Sequence, residues 1–513
     1  MKNHQLRFLL SGFLVLLISS CQGLQPNQEP SNPVAAVTEC RQYLGELNHA
    51  IEEAGLRDAQ TTILPDFPHL RVDRFLASLL PGITGINSAT KYQFWLEQSA
   101  ALAREGFDVE LDNLGLSGFR NQVHNQSKNI DDARRLTNTC IQTLLTHEKK
   151  TGLPNLQLQA QAIVKDNYKL WKRALGIYPL VVLPAAWGIK SHQKKSSNAH
   201  QKTGSPEQNS YTETIYPPPS EAFLSGHELE TIFSEASNNA LSLPLLSPQN
   251  LERLFQHYAP VWVVHRKGAA DDIGTMSWSP DGSLPLVQTD RATVYTQVSY
   301  TRFRGKSLLQ LNYIIWFPER PLTSAFDLLG GYLDGINWRV TLDSRGQILM
   351  QDTMHNCGCY HMFYPGSRLS PKKPPDSLAE MAFVPKFSPD LKNGERHHIH
   401  ITHTSHYIIG LDAKMMPAMT NKNYAKPYKF GPYKNLRKLP HPKFGNRSMF
   451  NDTGLVPGSR RRERYFFWPL GISSPGAMRQ WGNHATAFIG RRHFDDPDLI
   501  EKSFILKNDQ KIN

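Results

Sequence analysis

Three things are scarce in this 513-residue chain, and each scarcity narrows what it can be. There are only five cysteines, so few cross-links are available. Past the first twenty residues no apolar run is long enough to span a bilayer. The longest, residues 174–189, is sixteen residues interrupted by Pro179 and Pro184, where a spanning helix needs about 20. Signature motifs are missing as well: no Gly-x-Ser-x-Gly elbow, no His-Glu-x-x-His, no P-loop and no Gly-x-Gly-x-x-Gly following a strand. Nothing therefore signals a nucleotide or flavin, and the lack of Cys-x-x-Cys-His argues against covalent haem. His227-Glu228-Leu229-Glu230 lacks the second histidine of a zincin. Any catalytic groups are dispersed and brought together by the fold, which leaves catalytic residues unassigned. Asp334, Asp343 and Asp352 are the carboxylates nearest the Cys/His stretch described below.

What is present begins at the amino terminus. Lys2 and Arg7 precede an apolar core from Phe8 to Ile18, the pattern of a signal peptide over residues 1–20. Leu17-Ile18-Ser19-Ser20-Cys21 resembles the lipobox of bacterial lipoproteins, which implies acylation of Cys21. Gln22 in the next position implies sorting to the outer membrane, on its periplasmic face. Each buried CH₂ of an acyl chain adds about 0.8 kcal/mol, so several chains anchor firmly. Residues 21–37 then read as a flexible tether. Cys40, Cys140, Cys357 and Cys359 remain, an even number in an oxidising compartment. Pairing Cys40 with Cys140 would close a loop of about 100 residues, worth up to about 4.7 kcal/mol. Four cysteines allow three connectivities.

The periodicity predicts an α+β chain, with a helical amino-terminal domain (38–190) followed by a larger antiparallel β-rich domain (251–513). Apolar residues recur at spacings of three and four from Tyr43 to Leu56, and again over 72–80, 89–104, 130–149 and 156–175. Arg71, Arg74 and Trp95 fall in these patterns and are given no function. The broken apolar stretch 174–189 reads as a buried connection, the alternative being a surface that dips into the anchoring bilayer. Residues 191–250 open with a polar, proline-ending segment read as an exposed linker. Beyond about 257 the period becomes two, with strands predicted over 261–265, 293–302, 308–317, 338–343 and 347–350. Ser344-Arg345-Gly346 marks a hairpin.

That hairpin leads into His355-Asn356-Cys357-Gly358-Cys359-Tyr360-His361. His355, Cys357, Cys359 and His361 occupy alternate positions, and thiolates with imidazoles are the donors that zinc and other transition metals prefer. On a straight strand the two histidines would sit roughly 20 Å apart, so a shared ion requires a bend at Gly358 or ligands from elsewhere. The competing readings are a disulfide and ordinary strand residues. A second cluster, residues 397–406, places His398, His400 and His406 on one strand face and His397 and His403 on the other. His398 and His400 could chelate an ion or complete the first site. His484 and His493 are weaker candidates.

Charge is concentrated. Residues 386–464 hold 16 Lys and Arg against 5 Asp and Glu, while the whole chain carries a net charge of +12. Tyr424, Lys426, Tyr428, Lys429, Tyr433 and Lys434 interleave rings with cations, and Arg460, Arg461, Arg462 and Arg464 make the sharpest basic point. Behind an export signal this points to an anionic envelope component rather than nucleic acid. The stretches 311–318, 334–343, 355–361 and 476–482, the last reading Gly-Ala-Met-Arg-Gln-Trp-Gly, resemble a group of uncharacterised bacterial lipoproteins. The likeness runs through most of the mature chain. It implies no activity, but it implies that the Cys/His stretch is a shared feature. The expectation is an outer-membrane lipoprotein with a Cys/His metal site, as in a metal-dependent hydrolase of an anionic envelope substrate. The alternative is a non-enzymatic envelope protein with structural disulfides.

Overall fold

Asn129 shows how locally the helical half is specified. Its side chain accepts from the Asp132 N–H and caps α4, which runs over the predicted 130–149 with acids in its first turn and His147 and Lys149 in its last. The structure, a computed structural model, describes residues 33–508 apart from 85–86, 124–128, 151–155, 202–210, 374–379 and 417–424. The expected signal segment, Cys21, most of the expected tether and Tyr424 lie outside the described residues. Helix α1 (Pro33–Glu53) is followed by the antiparallel hairpin β1 (Thr62–Leu64) and β2 (Phe67–Val72), α2 (Arg74–Leu79), α3 (Ser88–Gln122) and α4 (Ile130–Lys149). Cys40 and Cys140 form the expected disulfide between α1 and α4. The β1–β2 hairpin is not legible as helical periodicity. It places Arg71 on a strand, where it is wholly buried against Glu110.

The predicted helix over 156–175 is two short ones, α5 (Leu156–Gln161) and α6 (Leu170–Leu175), and α7 (Tyr178–Gln201) follows. Two expectations fail here. The stretch 174–189 is not a buried connection: only Val182 and His200 of α7 are buried, and large apolar side chains along it face outward. The supposed linker carries regular structure among its described residues, since 191–201 continue α7 and β3 (Thr212–Tyr216) pairs with a core strand. Low hydrophobicity there reflects exposure, and an exposed face does not preclude regular structure.

Next come α8 (Gly226–Ala236), α9 (Pro248–His257), β4 (Val261–Arg266), β5 (Thr275–Trp278) and β6 (Pro285–Gln288). A long meander then runs through β7 (Thr293–Phe303), β8 (Lys306–Arg320), β9 (Gly331–Leu342), β10 (Ile348–His355) and β11 (Met362–Pro365). After β12 (Leu369–Pro371) come β13 (Glu395–Ile401), β14 (Ile408–Met415) and β15 (Lys429–Pro432). The carboxy-terminal segment carries α10 (Arg464–Phe467) and α11 (Leu499–Ser503). One sheet has the order β11-β10-β9-β8-β7-β15 and is antiparallel except where β15 joins β7. The other has the order β14-β13-β4-β3, with β13 parallel to β4.

The period of two on β8 assigns its faces. Leu309, Leu311, Tyr313, Ile315 and Phe317 enter the core shared with the four-stranded sheet, together with Trp262, Val264, Ile399 and Ile401. Ile314 and Trp316 turn to the opposite side, where the carboxy-terminal segment covers the sheet with Met478, Trp481 and Phe494. That cover turns polar sheet residues into buried ones. The two halves are joined by ion pairs. Arg437 reaches Asp58 at 2.6 Å and also pairs with Glu105, Lys438 reaches Asp112 at 2.7 Å, and Arg74 reaches Asp495 at 2.9 Å. Part of the basic stretch thus neutralises the acidic side of the helical half.

Candidate functional site

Residues 355–361 close a tight loop between β10 and β11 instead of continuing a strand. The His355 N–H donates to the Cys359 carbonyl at 2.9 Å, and the Gly358 N–H to the His355 carbonyl at 2.7 Å. Gly358 has φ +95°, and a Cβ there would lie 2.5 Å from the Ala485 carbonyl oxygen. The bend foreseen at this glycine exists, but the four donors do not converge. His355 turns to Asp334, with Nδ1 to Oδ1 at 3.3 Å, and His361 turns to Asp352, with Nε2 to Oδ2 at 2.9 Å. Cys357 and Cys359 are free thiols. The Cys359 thiol is pushed well up by its bond to Cys357, then by burial, and stays protonated at neutral pH. Asp334 and Asp352, noted from sequence, are the partners of the two histidines, whereas Asp343 closes the β9–β10 hairpin and pairs with Arg368 at 2.7 Å.

Asp334 is the hub of a buried network. Its Oδ2 takes His406 Nδ1 at 2.9 Å, His406 Nε2 lies 3.3 Å from Asp271, and the ring stacks on Phe317 at 3.9 Å. Burial opposes charge on His406, but its bonds to Asp271 and Asp334 prevail and raise its pKa. Burial likewise opposes the Asp334 carboxylate, and His355 and His406 outweigh it and hold Asp334 well below its ordinary value. His406 lies past the end of β13 with φ +53°, so the single face drawn through His398, His400 and His406 does not form. Asp352 accepts Arg339 through two nitrogens, at 2.8 and 2.5 Å, as well as His361. Burial holds His361 down at about 4.

The stretch Gly476–Gly482 packs on this loop. The Arg479 backbone N–H donates to the Asn356 carbonyl at 2.8 Å, and its guanidinium donates to the Cys357 carbonyl at 3.1 Å. Gly476 has no side chain because a Cβ would sit 1.9 Å from a Glu463 carboxylate oxygen. Burial raises the Glu463 pKa to about 7 against the pull of Arg461, Arg320 and Arg479. Above this floor is a cavity of about 640 Å³. Val181, Pro184, Ala185 and Ile189 of α7 form one wall, and Phe467, Leu470, Ile472 and Phe488 the other. Cys357, Cys359, Tyr360 and Glu463 supply the polar end. α7 rests on the loop through His192, whose ring packs against Tyr360 and Tyr407 at 4.9 and 5.2 Å. The Tyr407 hydroxyl donates to that of Tyr360 at 2.9 Å and accepts from Arg320 at 3.0 Å.

A separate group could hold a metal ion. Glu213 on β3, His265 on β4 and His400 on β13 each offer one donor atom, all within 4.8 Å of one another. Register explains the meeting: Glu213 lies directly across from His265, and His400 pairs with Val263, two residues before His265 on the same face. Asp412 Oδ2 backs His400 at 3.1 Å from Nε2, with Lys414 3.1 Å from the same oxygen and Lys386 nearby. Tyr211 stacks on His265 at 4.1 Å. Of the six ligands expected from sequence, only His400 belongs here. His398 is buried on the same strand, and burial holds it at about 4. Glu213 and His265 were missed because each is the single metal-binding residue type in its strand, and only the pairing of three distant strands unites them. The basic point also disperses. Arg461 is buried and donates to the Leu333 carbonyl, Arg462 donates to the Ala325 carbonyl at 2.6 Å, Arg460 is exposed, and Arg464 folds over Tyr465. Glu463 was hidden in that same run of charges. His484 and His493 are buried, the latter between Asp166 and Asp496.

Compared with protein-family models, with curated proteins and with solved structures, the chain matches none.

Proposed function

We propose that this chain is a lipid-anchored protein of the outer membrane, facing the periplasm, that holds the apolar part of an amphipathic molecule in the cavity beneath α7. The lipobox-like segment ending at Cys21 supports the anchor. The observation that carries the binding role is the cavity itself. At about 640 Å³ it is within the size range of small-molecule sites, and its apolar walls end at a few grouped polar atoms. An acyl chain or similar tail would lie along α7, and its head would meet Glu463, Tyr360 and the Cys/His loop. Because Glu463 ionises near 7, an anionic head should bind more tightly as pH falls through that value. Solvent extraction of the purified protein should release a stoichiometric amphiphile. Ala185→Trp, which fills the cavity from α7, should abolish uptake of a fluorescent fatty acid without lowering the melting temperature. A protein that carries no amphiphile and takes up no probe would end this reading. Radiolabelled palmitate should mark the wild type and not Cys21→Ala; an unlabelled wild type would remove the anchor.

The second reading, a metal-dependent hydrolase, is favoured by Glu213, His265 and His400. Two imidazoles and a carboxylate are a zinc donor set that leaves a position open. Such an ion would polarise a carbonyl or phosphoryl group. Asp412 would hold the His400 ring, and Lys386 and Lys414 would attract an anionic substrate. Elemental analysis should find zinc in the wild type and in Cys357→Ser, and none in His265→Ala. Metal that survives in His265→Ala but is lost from Cys357→Ser would return the site to the Cys/His loop.

A further inference from the structure

The outward side of α6 and α7 is apolar to an unusual degree. Leu170, Trp171, Leu175, Leu180, Leu183 and Trp187 are each more than half exposed, Trp187 at 76%. Beside them, Tyr465 and Phe466 of α10 are exposed at 64% and 60%. Such a patch exceeds the scattered apolar exposure normal for a surface and calls for an occupant. Among the described residues no helix is long and apolar enough to cross a membrane.

Charge indicates what the occupant is. From Lys169 to Lys195 the sequence holds six basic residues and no acidic one. Lys190, Lys194 and Lys195 are exposed on the second half of α7, and Arg460 and Arg462 are exposed next to α10. A leucine and tryptophan face rimmed by lysine and arginine is the chemistry of a helix lying in the plane of an anionic bilayer. The cavity agrees as well: Trp187 and Phe466 both line it and stand exposed, so its mouth opens within the patch.

We infer that α6, α7 and α10 form a docking surface for an anionic lipid bilayer, oriented so that the cavity mouth opens toward the acyl chains. The surface needs neither acylation of Cys21 nor any particular cavity content. It would hold the body of the protein flat against the membrane, where an amphipathic molecule could pass from bilayer to cavity without crossing water.

The test uses full-length Cys21→Ala, which has no acyl anchor, and vesicles of phosphatidylethanolamine with phosphatidylglycerol or of phosphatidylcholine alone. The protein should sediment with the anionic vesicles, more weakly with the neutral ones, and less as salt is raised. Adding Leu183→Glu and Trp187→Glu, both at exposed positions, should lower affinity by at least roughly tenfold. Lys190→Glu with Lys194→Glu should lower it about fivefold per residue and flatten the salt dependence. Brominated lipids should quench Trp187, read as the difference from Trp187→Phe. Three outcomes overturn the proposal: no binding to anionic vesicles, equal binding to both kinds, or binding unaffected by Leu183→Glu with Trp187→Glu. A dimer in sedimentation that those two changes convert to a monomer would also overturn it, by assigning the patch to a second copy of the chain. Loss of fatty-acid uptake with docking intact would strike the cavity reading alone.

Discussion

The helical and β-rich halves both bury ions, and they do so in opposite ways. In the helical half Arg71 and Glu110 form a closed pair with no solvent exposure, joined at 3.0 and 2.5 Å, while the Asp58 N–H takes up a carboxylate lone pair. Gly106 makes room for it, since a Cβ there would strike the guanidinium at 2.0 Å. In the β-rich half Asp334 serves two imidazoles and Asp352 serves an arginine and an imidazole. There His355 Nε2 and His361 Nδ1, ring nitrogens that can donate or accept, are left without hydrogen-bond partners; in the helical half Arg71 Nε lacks one too, but a guanidinium nitrogen can only donate. A closed pair contributes to scaffold alone. An open network beside a cavity leaves polar capacity for something else, and that capacity comes with sensitivity to pH.

The largest effect should come from breaking the closed pair. Arg71→Ala leaves Glu110 buried without its ion-pair partner, which costs about 3–5 kcal/mol. Chemical denaturation should show that loss, and a cost below about 1 kcal/mol would mean that water reaches the site. Next is the staple of the same half. Cys40→Ser with Cys140→Ser opens a loop with a sequence separation of 100, and the melt should show a loss of about 2–4 kcal/mol. The β-rich half should unfold at an unchanged position if the halves melt separately, and should shift with the helical half if their ion pairs couple them.

The third contrast is acid sensitivity. Burial holds both His361 and His397 at about 4, below the usual 6.5, so each is neutral when folded. Their contribution is present above 6.5 and is lost as pH falls from 6.5 toward 4, at about 1.4 kcal/mol per pH unit for each. His406 has the opposite sign. Its raised pKa stabilises fully below 6.5 and less as pH rises through the folded value, while Asp271, held at about 2, contributes above the usual carboxylate range. Burial opposes the Asp271 charge, and His406 overcomes it. Protection factors from hydrogen exchange should therefore fall more in β8–β10 than in α3 and α4 between pH 7 and 5. The helical half has its own depressed histidine in His69, so some loss there is expected. Equal loss in both halves would erase the contrast. His397→Gln should remove about one histidine's share of the slope.

Local information was enough for much of this molecule. The helix 130–149, the hairpin at 344–346 and the strands from 261 onward follow from caps and periodicity, which act over a few residues; cysteine parity offered the pairing of Cys40 with Cys140 as one of three, and the packing of α1 on α4 selected it. The donors were another matter. The alternation His355, Cys357, Cys359, His361 is real, yet the bend at Gly358 sends the two histidines to different carboxylates. That outcome depends on Asp334 and Asp352 lying on β9 and β10. Glu213, His265 and His400 meet because three strands far apart in sequence settle into one register. Residues 174–189 have the composition of a core segment, and only the packing of α7 over the loop shows which side of it is left uncovered. Propensity and period are properties of the chain; burial, protonation and convergence depend on which distant segment arrives as neighbour.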